Sequence, residues 1–143
     1  MTKHGFLFGA LMAVAMTAMA AMACSAAGSV PPVVTVDMNE FSMRPSLAAV
    51  QAGTVTFKVV NHGAIEHEMV ILKTNLSPKD LVMQANGAKM DEAASGKAVG
   101  EVEGVEIGQT KTGTFTLEPG HYVLVCNEPE HYKQGMAAAF DVK

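Results

Sequence analysis

The stretch GHYVLVCNEPEHYKQGM, Gly120–Met136, decides how this chain reads. Its first half alternates: Tyr122, Leu124 and Cys126 fall on one face of an extended strand, Val123 and Val125 on the other. Cys126 is expected to be the last residue of that strand. Pro129 and Gly135 cannot continue a ladder, so the chain must leave the sheet there and loop back. The loop carries a thiol, an imidazole and a thioether at Cys126, His131 and Met136, with four residues in each gap. A strand end followed by a short loop can turn three such donors onto one point. Thiolate, thioether and imidazole together favour copper, and two His with one Cys and a weak axial Met describe an electron-transfer copper site. The loop holds one His, so a second must come from elsewhere. His67, in AIEHEMVIL, opens another strand-like run and is the best candidate.

These features resemble the small blue-copper proteins, the cupredoxins. The resemblance rests on Asn61, Gly63 and His67 in VVNHGAIEHEMVIL, then PGHYVLVC, then the Cys, His, Met loop, and it spans Val33 to the C-terminus. The two four-residue gaps are most similar to those of the rusticyanin and sulfocyanin branches. Those branches usually carry Gly before the loop His, where this chain has Glu130; many cupredoxins have Asn after the first His, where it has Glu68. The resemblance implies an all-β, Greek-key, two-sheet sandwich that binds one copper ion cycling between Cu(I) and Cu(II). It also implies that electrons pass through the solvent-facing edge of His131, whose neighbours are Asn127, Glu128, Glu130 and Tyr132.

The remaining soft and basic residues compete poorly for a metal. His121 lies five residues before Cys126, so alternation sends it to the opposite sheet face; His62 sits in a loop and His4 in the leader. Of 11 Met, five belong to the leader, and the other six are scattered rather than grouped as in a Met-rich copper store. A copper-binding or delivery protein in copper homeostasis is the alternative from another class, but it would want an exchangeable site without a buried thiolate. An enzyme is not expected, because four protein ligands close the site and catalytic metal sites keep a position open.

The first 23 residues, MTKHGFLFGALMAVAMTAMAAMA, place a Lys before an apolar run ending in small residues, a secretory signal pattern. Ala21, Met22 and Ala23 before Cys24 fit a lipobox, which would lipidate Cys24, and fit ordinary A-x-A cleavage equally. Either route exports the chain to a bacterial periplasm or cell envelope. Residues 24–32, CSAAGSVPP, form a flexible tether, and 33–143 one copper-binding domain. Cys126 then stands unpaired in an oxidising compartment, where a metal would protect it. Without the leader, 9 of the 10 basic residues face all 14 acidic ones, a net charge of −5. That balance disfavours nucleic acid as a partner. A monomer is expected, exchanging electrons with a protein such as a cytochrome that bears a basic docking patch.

About seven short strands emerge along the domain. VVTVDM alternates, VTFKVV sets Val55, Phe57 and Val59 against Thr56, Lys58 and Val60, and HEMVILKT sets His67, Met69 and Ile71 against Glu68. TKTGTFTL, HYVLVC and AAAFDV complete the set. Between them, Ser77 and Pro78 read as a helix start, with LVMQANGAK continuing it to Gly87. The polar, glycine-punctuated residues from there to Gly108 read as a long solvated excursion.

Overall fold

The computed structural model describes residues 30–143, together with Met1. The expected signal segment and most of the tether therefore lie outside the described residues. Among the described residues no helix is long and apolar enough to cross a membrane.

The period-two segments become two sheets. Strands β1 (Val33–Asn39), β2 (Ser42–Pro45), β4 (Gly53–Asn61) and β7 (Thr110–Leu117) form one, in the order β2-β1-β4-β7. The other takes β3 (Ala49–Val50), β5 (His67–Lys73), β6 (Lys97–Val105), β8 (Gly120–Val125) and β9 (Ala137–Val142), in the order β3-β9-β8-β5-β6. β1 pairs parallel to β4 and β3 parallel to β9; the other ladders are antiparallel. Among the described residues the strands number nine rather than about seven; the short edge pieces β2 and β3 and the strand β6 are the three that the six alternating segments do not cover. Pro45 closes β2 at a sheet edge, where its missing N–H breaks no interior ladder.

Inward-facing residues of both sheets make the main core: Val34, Val36 and Met38 of β1, Val55, Phe57 and Val59 of β4, Met69 and Ile71 of β5, Tyr122 and Leu124 of β8, and Phe140 of β9. Phe57 sets its ring edge against Phe140 at 5.4 Å. Cys126 and Met136 lie in this same cluster, so the copper-type donors grow out of one end of the core.

The middle of the chain corrects the sequence reading twice. No helix starts at Ser77. Asp80 N–H donates to the Ser77 carbonyl (3.0 Å) in a single turn, and the chain then runs on to an isolated bridge between Met83 and Met90. Helix α1 is instead Glu92–Ser95, capped by Asp91, whose Oδ1 accepts from Ala94 N–H (3.0 Å). Nor are residues 77–108 a solvated excursion. Leu81 and Met90 are buried on the outer face of the second sheet with Val70, Leu72, Val123 and Val125, and β6 extends that sheet by nine residues. This second apolar layer explains why β5 and β8 carry unbroken runs of buried residues rather than strict alternation.

Candidate metal centre

Four chain segments meet where the site forms. His67 is the first residue of β5, and a bulge lies beside it: β6 inserts an extra residue between the pairs His67–Val105 and Met69–Val102, with Gly104 at φ +57°. Bulges of this kind bend a strand and re-aim a side chain. Upstream, Asn61 ties the loop before His67. Its Nδ2 donates to the carbonyls of Ile65 (2.7 Å) and Val105 (2.8 Å), and its Oδ1 accepts from Gly63 N–H (2.8 Å).

Cys126 follows the last residue of β8 instead of ending the strand. It remains in register because its N–H donates to the Met136 carbonyl (3.0 Å), beside the Val125–Ala137 pair. Met136 N–H returns to the His131 carbonyl (3.2 Å). A single 3-10 turn, Tyr132–Gln134, and Gly135 at φ +101° fold the loop from Cys126 to Met136 back on itself. Glu130, where the resembling branches have Gly, is the described non-glycine residue with positive φ, at +67°. The loop's backbone thus demands a left-handed residue just before His131 even though the side chain here is a carboxylate.

The segment from 81 to 92 straps this loop from outside. Tyr132 Oη accepts from Leu81 N–H (2.9 Å) and donates to the Leu81 carbonyl (3.2 Å). Asn127 Oδ1 accepts from Met90 N–H (2.7 Å), while its Nδ2 donates to the Met90 carbonyl (3.3 Å) and to Glu92 Oε1 (3.1 Å). Glu130 N–H donates to the Ala88 carbonyl (2.7 Å). None of these anchors was visible in the sequence, because each partner lies dozens of residues away.

Three donor atoms converge as a result. Cys126 Sγ lies 3.2 Å from His131 Nδ1 and 3.9 Å from His67 Nδ1, and the two Nδ1 atoms are 3.3 Å apart. All three residues are buried, with His131 retaining an 8% edge to solvent. Phe41 packs its ring against the His131 ring, centroids 5.4 Å apart. Burial pushes the Cys126 thiol up to about 11, partly offset by the nearby backbone N–H groups of Glu68 and Glu128. Burial likewise lowers both imidazoles, and for His67 the neighbouring His131 lowers it further. Each group therefore rests neutral, and both rings offer lone pairs to a cation that can displace the thiol proton. Glu68, half-buried, is raised to about 6 by burial first and by Glu128 second.

His62 and His121 stand apart, exposed and hydrogen-bonded to Asp37 (2.8 Å) and Asp141 (2.7 Å). Met136 is fully buried beside Cys126 in the core. Glu40 is the neighbour that sequence reasoning missed: it sits in the β1–β2 turn, with Oε1 3.8 Å from His67 Nε2. An acid in a turn carries no signal of its own.

Soft thiol and borderline imidazoles, gathered at the end of a two-sheet sandwich, suit one type 1 copper ion. Fold and donor set together define a cupredoxin. The chain belongs to the sulfocyanin (SoxE) domain family, whose description matches residues 16–143. No curated protein matches it in sequence. Solved structures share the fold. A dithionite-reduced auracyanin from the photosynthetic bacterium Roseiflexus castenholzii is 23% identical with a TM-score of 0.60, covering 81% of this chain and 99% of its own. Auracyanin B is 20% identical with a TM-score of 0.57, covering 80% and 91%. Reduced rusticyanin is 19% identical with a TM-score of 0.55, covering 80% and 82%.

Proposed function

We propose that His67 Nδ1, Cys126 Sγ, His131 Nδ1 and the Met136 thioether would hold one copper ion, and that the protein shuttles single electrons between partners in the cell envelope. The observation that carries this is the convergence of two Nδ1 atoms and one thiol in a buried pocket. Bound there, copper supplies a one-electron couple, because thiolate and thioether suit Cu(I) while imidazoles tolerate Cu(II). The chain's part is rigidity. His67 is fixed by the bulge and Asn61, and the loop by its strap, so the donors change little between oxidation states. A buried, hydrogen-bonded sulfur also weighs against an exchangeable delivery site and in favour of a carrier. His131, with its edge at the surface, is the exit for the electron.

Cys126→Ser tests the ligand set. The intense visible band needs a thiolate donating to Cu(II), so the variant should lose it and bind copper more weakly. A band unchanged in Cys126→Ser would rule the site out.

For export, residues 1–23 act as the signal, 24–32 as the tether and 33–143 as the working domain, which acts as a monomer. Cys24 becomes either a lipidated first residue or part of an ordinary cleavage product. Mass measurement of the mature N-terminus separates them, since lipidation adds acyl mass and a stable anchor needs more than one chain. Retention of the whole leader would defeat both.

A further inference from the structure

His67 Nε2 is buried and, among the described residues, is the buried side-chain nitrogen or oxygen left without a hydrogen-bond partner. Its other ring nitrogen, Nδ1, faces Cys126 and His131. When Nδ1 serves as a metal ligand, the ring's proton sits on Nε2, and metal-bound histidines almost always donate that N–H to a carboxylate, carbonyl or water. A buried N–H without an acceptor is strongly disfavoured.

One carboxylate is within reach. Glu40 Oε1 lies 3.8 Å from Nε2, about 0.6 Å beyond the usual N–H···O hydrogen-bond range. The carboxylate is held rather than loose. The same oxygen accepts from the N–H groups of Ala64 and Ile65, in the loop that leads into His67. Room for it exists because residue 63 is glycine; a Cβ there would overlap Oε1 and crowd the rest of the carboxylate. Gly63 is itself fixed by its N–H bond to Asn61 Oδ1 (2.8 Å). Three separate features therefore aim Glu40 at the orphaned nitrogen: two backbone donors, a glycine gap and the turn between β1 and β2. The side chain is about one-third exposed, so its charge is retained at neutral pH while its oxygen faces the ring.

We propose that Glu40 is a positioning residue for the metal centre: its carboxylate accepts the Nε2–H of His67, holds the ring with Nδ1 presented to the metal, and lowers the site's reduction potential. This rests on the ligand set proposed above. The potential falls because a fixed negative charge favours the more positive, oxidised state of a nearby redox centre. The same contact orients the imidazole, as partners of metal-bound histidines do elsewhere.

The test uses the copper-loaded, full-length protein and Glu40→Gln. Glutamine is isosteric, and its amide oxygen can still accept from Ala64 and Ile65, so the fold and the thiolate band should be retained. The reduction potential should rise by about 60 mV, which is about tenfold in the Cu(II)/Cu(I) equilibrium. In the diamagnetic Cu(I) protein, the His67 Nε2–H proton resonance should be downfield and slow to exchange in the wild type. In Glu40→Gln it should move upfield and exchange faster. Glu40→Asp, with the charge set back by one methylene, should give a potential between the two. If Glu40→Gln keeps its band, its potential and its Nε2–H resonance, Glu40 merely caps the loop and the proposal fails while the copper site stands. A wild-type protein lacking the thiolate band would instead overturn the ligand set, and this role with it.

Discussion

The two left-handed residues in the ligand loop, Glu130 at φ +67° and Gly135 at φ +101°, divide the cost of a tight return differently. A non-glycine residue in that region is strained by about 1–2 kcal/mol. Glu130 keeps the conformation because its N–H is tied to Ala88 and its carboxylate to Lys133 (2.9 Å), a surface pair of little energetic worth. Glu130→Gly should therefore be neutral or stabilising by up to about 1 kcal/mol, the relieved strain being partly offset by a freer unfolded chain. Gly135→Ala should destabilise, because alanine strains at that φ and nothing repays it. Denaturant midpoints compare the two, and a clear loss in Glu130→Gly would mean its side chain does more than pair with Lys133. Met136 belongs to the same scale. On the proposed ligand set, Met136→Leu should leave copper bound by the other three residues and raise the potential, since the cupric form would lose its weakest donor. A redox titration checks the direction; complete loss of copper would give Met136 a larger role than an axial one.

At the scale of elements, the strap from 81 to 92 joins the ligand loop to the sheet behind it. Its contacts are reciprocal: one hydroxyl serves both polar groups of Leu81, and one amide serves both of Met90. Removing the Tyr132 hydroxyl leaves a buried N–H and a carbonyl unmatched, at a cost of about 1–3 kcal/mol. Tyr132→Phe should lose that much stability with its ring still part of the apolar cluster on the outer face of the second sheet. It should also speed amide exchange at Leu81 and in the loop, because His131 is the adjacent residue. Chemical denaturation together with hydrogen exchange reads both effects. A stability loss without faster loop exchange would show that the strap supports the sheet alone.

Across the whole molecule, charge gathers at the copper end. Glu40 and Glu128 bear on both histidines, whereas Lys133 offsets Glu130 and burial disfavours the charge on Glu68. Glu40 and Glu128 are thus the carboxylates whose charge reaches both rings. A partner with a basic patch should still be steered to His131, an effect on association rate that fades as the Debye length shortens to about 10 Å at 0.1 M salt. Electron transfer to the natural partner should slow with ionic strength, and Glu128→Lys should slow it further at low salt with the visible spectrum nearly unchanged. Stopped-flow rates across a salt series test this; a flat or rising rate would remove the steering idea and spare the copper site.

What the sequence determined by itself was local in origin. Alternation in VTFKVV and HYVLVC marks strand faces because successive side chains point oppositely, and the order of Cys126, His131 and Met136 names a donor set because ligand chemistry belongs to residue type. Tertiary structure decided the rest. Ser77 and Pro78 carry a sound helix-start pattern, yet Leu81 N–H goes to Tyr132 Oη and Val82 N–H to Ser95 Oγ (2.8 Å), partners 51 and 13 residues away. Those bonds outbid a helix that would have had to bury Leu81 and Met83 on its own. β6 escaped notice because an edge strand buries only Val102 and Val105, too few to show a period, and takes its order from β5. Glu40 shows the same limit at the site. Its bearing on His67 comes from a turn folding across the copper end, a proximity between residues 27 apart in the chain that no local pattern encodes.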